Sequence, residues 1–427
     1  MQSRNINHFA LVGLLLPITT LAQVASQDKV MVNQGTISVA EGGLLSTIYD
    51  FDNGDSGVVK NDGTVYYYSN FNNDNLYYHS KGAKESTAIF TRYEEKGKQL
   101  ISGSKPSEFY HVILDNEKDE VAFDLKNELN VLGSVDFKDG IVKVDSLSGM
   151  LTFHKGAQAI NPTDRSHAEG FVEKIGNEEF QYPKGDKGLY RYARISAPES
   201  EKDIYLGKYN LEDKNFFRAR NAKSGVINLL DENEYWTVEK GNDNSKGDIL
   251  LTLSWHELTT PKALLANPAE ELHIVRWDAK QQLWVDEGGV VDVNAKEITT
   301  ATSVKGYGFF TLATVKTDWI LDGDVVIYNL VTPDGDGKND YFIIDNIQRF
   351  PNNSVEIYNR WGVRVFETTN YDSRGNVFRG FSDGRVTVNK NEKLPTGTYY
   401  YIVTYEYKGK EGSRMIKKSG YLHLESN

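Results

Sequence analysis

Cysteine is absent from all 427 residues, which excludes a disulfide framework, thiolate metal ligands and a cysteine nucleophile. Histidine is sparse: the eight present are scattered, with none in the H-x-H or H-E-x-x-H spacing of a zinc site. There is also no Gly-x-Ser-x-Gly elbow and no phosphate-cradling glycine loop leading into a helix. Positive charge is in deficit. The net charge is −12, and because residues 325–427 hold 14 basic and 12 acidic side chains, the rest of the chain carries about −14. An acidic body does not seek a phosphate backbone, so nucleic acid is not an expected partner.

Long apolar runs are confined to the start. Arg4 precedes the run from Phe9 to Ile18, and Thr20-Leu-Ala22 offers small residues for cleavage before Gln23, so residues 1–22 read as a signal peptide. The run falls short of the roughly 20 apolar residues of a spanning helix and contains Pro17. No later stretch is apolar enough to span, so no transmembrane segment is expected once the signal is removed.

What remains is a chain of short alternating runs split by Gly, Asn and Asp, such as Gly35-Thr-Ile-Ser-Val39, Gly63-Thr-Val-Tyr-Tyr-Tyr68 and Gly140-Ile-Val-Lys-Val144. Alternation bounded by turn formers predicts strands. Two phrases recur: Asn33-Gln-Gly-Thr-Ile with Asn61-Asp-Gly-Thr-Val, and Tyr49-Asp-Phe-Asp-Asn53 with Asn70-Phe-Asn-Asn73. Degenerate repetition predicts stacked coils over residues 23–158, a β-solenoid of the right-handed β-helix kind, with a β-sandwich as the alternative. Residues 159–317, with longer and more aromatic strands, predict a β-sandwich, with 259–270 as a helical or loop insertion. Its tryptophans read as core packing, against the alternative of a sugar platform built from Trp236, Trp255, Trp277 and Trp284. The whole is expected to be all-β.

Residues 320–427 carry the most specific signal. Asn329-Leu-Val-Thr-Pro-Asp-Gly-Asp-Gly-Lys-Asn-Asp340 is followed by Tyr358-Asn-Arg-Trp-Gly362, Leu394-Pro-Thr-Gly-Thr-Tyr399 and Gly420-Tyr-Leu-His-Leu424. Together these blocks resemble the gliding-motility-associated C-terminal domain, the sorting module of proteins exported by type IX secretion in Bacteroidetes. The resemblance implies an Ig-like β-sandwich and an extracellular, cell-surface destination associated with the outer membrane. It also implies the secretion machinery and an outer-membrane carrier as partners, with a large surface adhesin as a further one.

Asp334, Asp336 and Asp340 stand at positions 1, 3 and 7 of a glycine-bearing loop, which begins a calcium-loop arrangement in which the Lys338 carbonyl adds a fourth oxygen. A second reading has these side chains capping a tight turn by bonding backbone amides. Calcium is the one cofactor this pattern suggests. Arg360 and Trp361 read either as a partner grip or as local packing, and Arg414, Lys417 and Lys418 either as a surface for the secretion machinery or as a solvated sheet edge. The expected function is non-catalytic: an accessory or docking component of a gliding or adhesion apparatus. A secreted carbohydrate-binding or polysaccharide-acting protein is the alternative, and residues 24–158 offer it a single arginine, Arg92, and a short groove.

Overall fold

The computed structural model describes residues 29–93, 97–117, 121–224, 227–242, 245, 248–315, 325–383, 393–409 and 412–426; the expected signal peptide lies outside the described residues. Strands make up 52% of the structure and helix 3%, so the all-β expectation holds, and the N-terminal region is a β-solenoid of about 6 turns.

One face of the solenoid stacks Val30–Asn33, Asp50–Asn53, Phe71–Asn73, Gln99–Ser102, Val121–Lys126, Ile141–Val144 and Ala168–Glu169, every pair parallel. A second stacks Thr36–Val39, Val58–Asn61 and Leu76–Tyr78; a third stacks Leu44–Thr47, Thr64–Tyr67 and Thr87–Thr91. Higher up, the long strands Ser107–Asp115 and Glu128–Asp139 run across both faces. Alternation sends every second side chain inward. Phe51 stacks on Phe71 at 5.9 Å between ring centroids, and Tyr67, Phe90 and Phe109 complete an aromatic column.

Identical positions one coil apart also stack polar groups. Asn33 donates to Asn53 at 2.8 Å, Asn53 to Asn73 at 2.7 Å and Asn73 to Ser107 at 3.0 Å. This ladder shows which phrase repeat marks the coil. Phe51 and Asn53 lie in register with Phe71 and Asn73, whereas Asn61 sits opposite Val39 and not opposite Asn33. The Asn-x-Gly phrases share a local turn, each Asn side chain accepting the amide two residues on at 3.1 Å. They occupy different corners of the coil, so their likeness reports turn chemistry and not the period.

Parallel stacking passes residue 158, where the sequence places a boundary, and reaches Val172–Ile175 on Met150–Phe153. That strand then pairs antiparallel with Ile204–Leu211. The first sheet of the sandwich therefore grows directly on the solenoid: Ile204–Leu211, Glu234–Lys240, Gly308–Val315, Leu272–Asp278 and Leu283–Gly288 pair in succession. The facing sheet orders Phe180–Gln181, Ala193–Ile195, Leu251–Ser254, Glu297–Thr299 and Val290–Asp292. One continuous apolar core runs from Val39 to Leu312 through both regions. The 259–270 insertion is turns leading into a short helix, Pro268–Glu271.

The C-terminal domain has its own core, built from Val331, Phe342, Val355, Tyr371, Phe378 and Tyr405 among others. Its sheet orders Leu330–Val331, Gly412–Leu424, Gly397–Gly409, Asn353–Tyr358 and Arg364–Thr369. The long aromatic strand is central, as its two apolar faces predict: Tyr399, Val403 and Tyr405 fill the core, while Ile402 on the opposite face is also buried. The Ile402 face lies toward the sandwich, where Lys417 reaches Thr302 at 3.2 Å.

Candidate functional site

The acidic loop follows the edge strand Leu330–Val331, which pairs with the last strand of the domain. Gly335, Gly337 and Asn339 all take positive φ, at 83°, 87° and 51°. At the two glycines a Cβ would be strained, and the alternation folds the carboxylates of every second residue to one side. Asp334, Asp336 and Asp340 then bring carboxylate oxygens within 4.8 Å of one another.

The same oxygens hold the loop together. Asp340 accepts the amides of Gly335 at 2.6 Å and Gly337 at 2.9 Å, one on each oxygen; Asp334 accepts that of Asp336 at 3.1 Å and Asp336 that of Lys338 at 2.7 Å. The Lys338 carbonyl accepts the Thr332 hydroxyl at 3.2 Å. The arrangement thus realises the amide-capping reading, and the three carboxylates also lie close enough together to share one cation. Such an ion needs six to eight oxygens, so waters or carbonyls would have to complete the shell.

Asn359-Arg-Trp-Gly362 forms a turn whose Asn359 side chain accepts the amides of Trp361 and Val363 at 3.0 and 2.9 Å, with Gly362 at φ 76°. The turn throws Trp361 outward, 49% exposed, beneath the Arg360 guanidinium at 4.3 Å from the ring centroid. Local packing of Trp361 into the domain is therefore not what the fold selects. Both residues line a cleft of about 470 Å³ with Glu179, Arg194, Thr252 and Tyr400.

The basic group divides. Lys417 reaches the sandwich at Thr302, and burial with Lys305 nearby lowers its pKa; Lys418 donates to the Val325 carbonyl at 3.4 Å. Arg414 stands opposite Tyr407 in the long hairpin. Lys417 and Lys418 are thus engaged within the protein.

Trp236, Trp255, Trp277 and Trp284 are all buried, so they form no sugar platform. Trp236 and Trp284 donate to the carbonyls of Arg191 and Arg220 at 3.2 and 2.7 Å. A titratable cluster that sequence reasoning missed lies in the same sandwich. Asp231 and Glu234 are fully buried beside Tyr209, Thr259 and Thr260, and burial pushes both carboxyls up. Its trace in the sequence is two carboxylates against the apolar run Tyr235-Trp236.

Residues 325–424, less than a quarter of the chain, match the family model described as the CHU_C Type IX secretion signal domain. No curated protein and no solved structure gives a significant match. Among the described residues no helix is long and apolar enough to cross a membrane. The match agrees with the resemblance carried by the acidic loop, the 358–362 turn and the final strands, and it implies interaction with the secretion machinery. Across residues 325–424 the chain is a type IX secretion signal domain, which marks it as a protein exported by that system to the cell surface or beyond.

Proposed function

We propose that the exported protein is a docking component at the outer-membrane surface, an accessory of a gliding or adhesion apparatus, in which the solenoid and sandwich supply contact area and no catalysis. One observation carries the reading. On the third face of the solenoid, Tyr66 and Tyr68 point outward with near-parallel rings 5.9 Å apart, Tyr93 closes on Tyr68 at 6.2 Å, and Ile89 and Ile113 continue the row beside Tyr66. An aromatic and aliphatic strip on a rigid parallel sheet is a ready contact surface, since such side chains lose little entropy when covered. The occupant in this reading is a large surface adhesin or the outer-membrane carrier. Removal of residues 1–22 and a calcium ion on the Asp334, Asp336 and Asp340 loop belong to the same proposal.

Capture from intact cells tests it, with the C-terminal domain retained and a Tyr66→Ser, Tyr68→Ser, Tyr93→Ser variant alongside. Co-purification of an adhesin or carrier with the parent protein, lost in the variant, is the expected result. Recovery of glycan alone, or of the same partner with both proteins, would sink it.

A further inference from the structure

The two ends of the solenoid differ. At the far end Val172–Ile175 is covered by Ile204–Leu211. At the near end Val30–Asn33, Thr36–Val39 and Leu44–Thr47 each have a strand partner on one side only among the described residues. Outward positions that are polar in the next coil turn apolar here: Val30, Val32 and Leu44 stand in register with Asp50, Asp52 and Thr64. Val32 is 55% exposed and Leu44 67%. The inward residues Met31, Ile37 and Leu45 are only half-covered, whereas Phe51, Val59 and Val65 directly beneath them are buried. Repeat arrays end in polar caps, and open sheet edges carry charge, proline or a bulge. Among its described residues this coil has neither device, and the charged ones are Lys29 and Glu41.

We propose that this end is closed by the same end of a second copy of the chain, related by a two-fold axis perpendicular to the solenoid. Such an axis reverses the winding of the coil, so every edge strand meets an antiparallel partner. The face on the axis meets itself and the other two faces exchange. All three edge strands are four residues long, so the exchanged edges match in length.

Charge selects among the three settings of the axis. Lys29 sits at the corner of Tyr49, its ammonium 5.6 Å from that ring, and Glu41 lies in the turn between the second and third strands. With the axis on the Leu44–Thr47 face, the Glu41 corner of each copy meets the Lys29 corner of the other. An axis on the Val30–Asn33 face would instead set Glu41 against Glu41. In the favoured setting Leu45 lies beside its own copy and Met31 meets Ile37, which makes one apolar core of two solenoids.

Sedimentation equilibrium of residues 23–427 over a micromolar concentration range tests this. The parent chain is expected to dimerise. Val32→Lys with Leu44→Lys, at exposed positions, should leave a monomer with unchanged circular dichroism. Lys29→Glu and Glu41→Lys should each weaken association about tenfold, and the double exchange should restore it. A monomeric parent chain overturns the proposal, as would association that survives the two lysines or a double exchange that fails to restore it.

Discussion

Tyr209 donates a 2.5 Å hydrogen bond to Glu234 inside the sandwich, and Thr260 closes on the other oxygen of the same carboxylate at 2.5 Å. Three residues earlier, Asp231 accepts the amides of Asn233 and Glu234 on one oxygen, and its other oxygen is buried without a hydrogen-bond partner. Taking both carboxyls out of water favours their neutral forms, and the neighbouring Glu234 charge further penalises ionisation of Asp231.

Stability should therefore fall as pH rises. An unfolded carboxyl titrates near about 4. Above that value the unfolded chain gives up protons that the folded pair retains, so the folded state loses ground until the raised pKa values are passed. Asp231→Asn keeps an oxygen for the two amides and removes one charge. It should flatten the decline in melting temperature between weakly acidic and weakly alkaline pH. Parallel profiles for parent and variant would show that the pair does not titrate.

Lys184 presents the opposite sign. Its ammonium is fully buried with no hydrogen-bond partner, 4.4 Å from the Tyr182 ring centroid, and burial depresses its pKa well below the usual lysine value. The unfolded chain is protonated at neutral pH and the folded chain resists protonation, so stability rises with pH toward the unfolded lysine value. Lys184→Met should stabilise the protein at neutral pH by about 1–3 kcal/mol, with the advantage shrinking as pH is raised. Urea titrations at two pH values measure both effects.

The asparagine ladder should be costly to interrupt. Asn53 both accepts from Asn33 and donates to Asn73, and it is fully buried. Asn53→Ala leaves a donor above and an acceptor below unpaired, which costs about 3 kcal/mol. Asn53→Leu, with similar volume, should not rescue it. A loss below about 1 kcal/mol in urea unfolding would mean that water replaces the ladder.

Asp340→Asn replaces one of the two Asp340 oxygens that accept loop amides and removes the charge, and it should lower the stability of the C-terminal domain by about 1–2 kcal/mol. Calcium provides the separate test. A melting temperature raised by calcium in the parent and not in Asp336→Asn supports a bound ion. An equal shift in both, or none, leaves only the amide-capping role.

Much of the architecture was legible locally. Alternating runs such as Gly63-Thr-Val-Tyr-Tyr-Tyr68 marked strands because side-chain direction in a strand depends only on neighbours in the chain. The acidic loop was legible for the same reason: its glycines and carboxylates act over a handful of residues. Coil register was only half legible, since the Asn-x-Gly phrases signal a turn wherever it falls, and pairing alone decided that Phe51 and Phe71 mark the period. The sequence left Trp361 undecided because a strand-turn tryptophan packs inward or outward according to the turn, and Gly362 at φ 76° turns it out.

The sequence by itself determined an all-β chain, an acidic body, a cysteine-free interior and a type IX signal domain, all properties of composition or of contiguous residues. The tertiary structure decided which groups lost their water. Asp231 and Glu234 became a buried pair, Lys184 a buried amine, and Val32 and Leu44 an uncovered edge. Desolvation depends on neighbours tens or hundreds of residues away, and no local pattern encodes it.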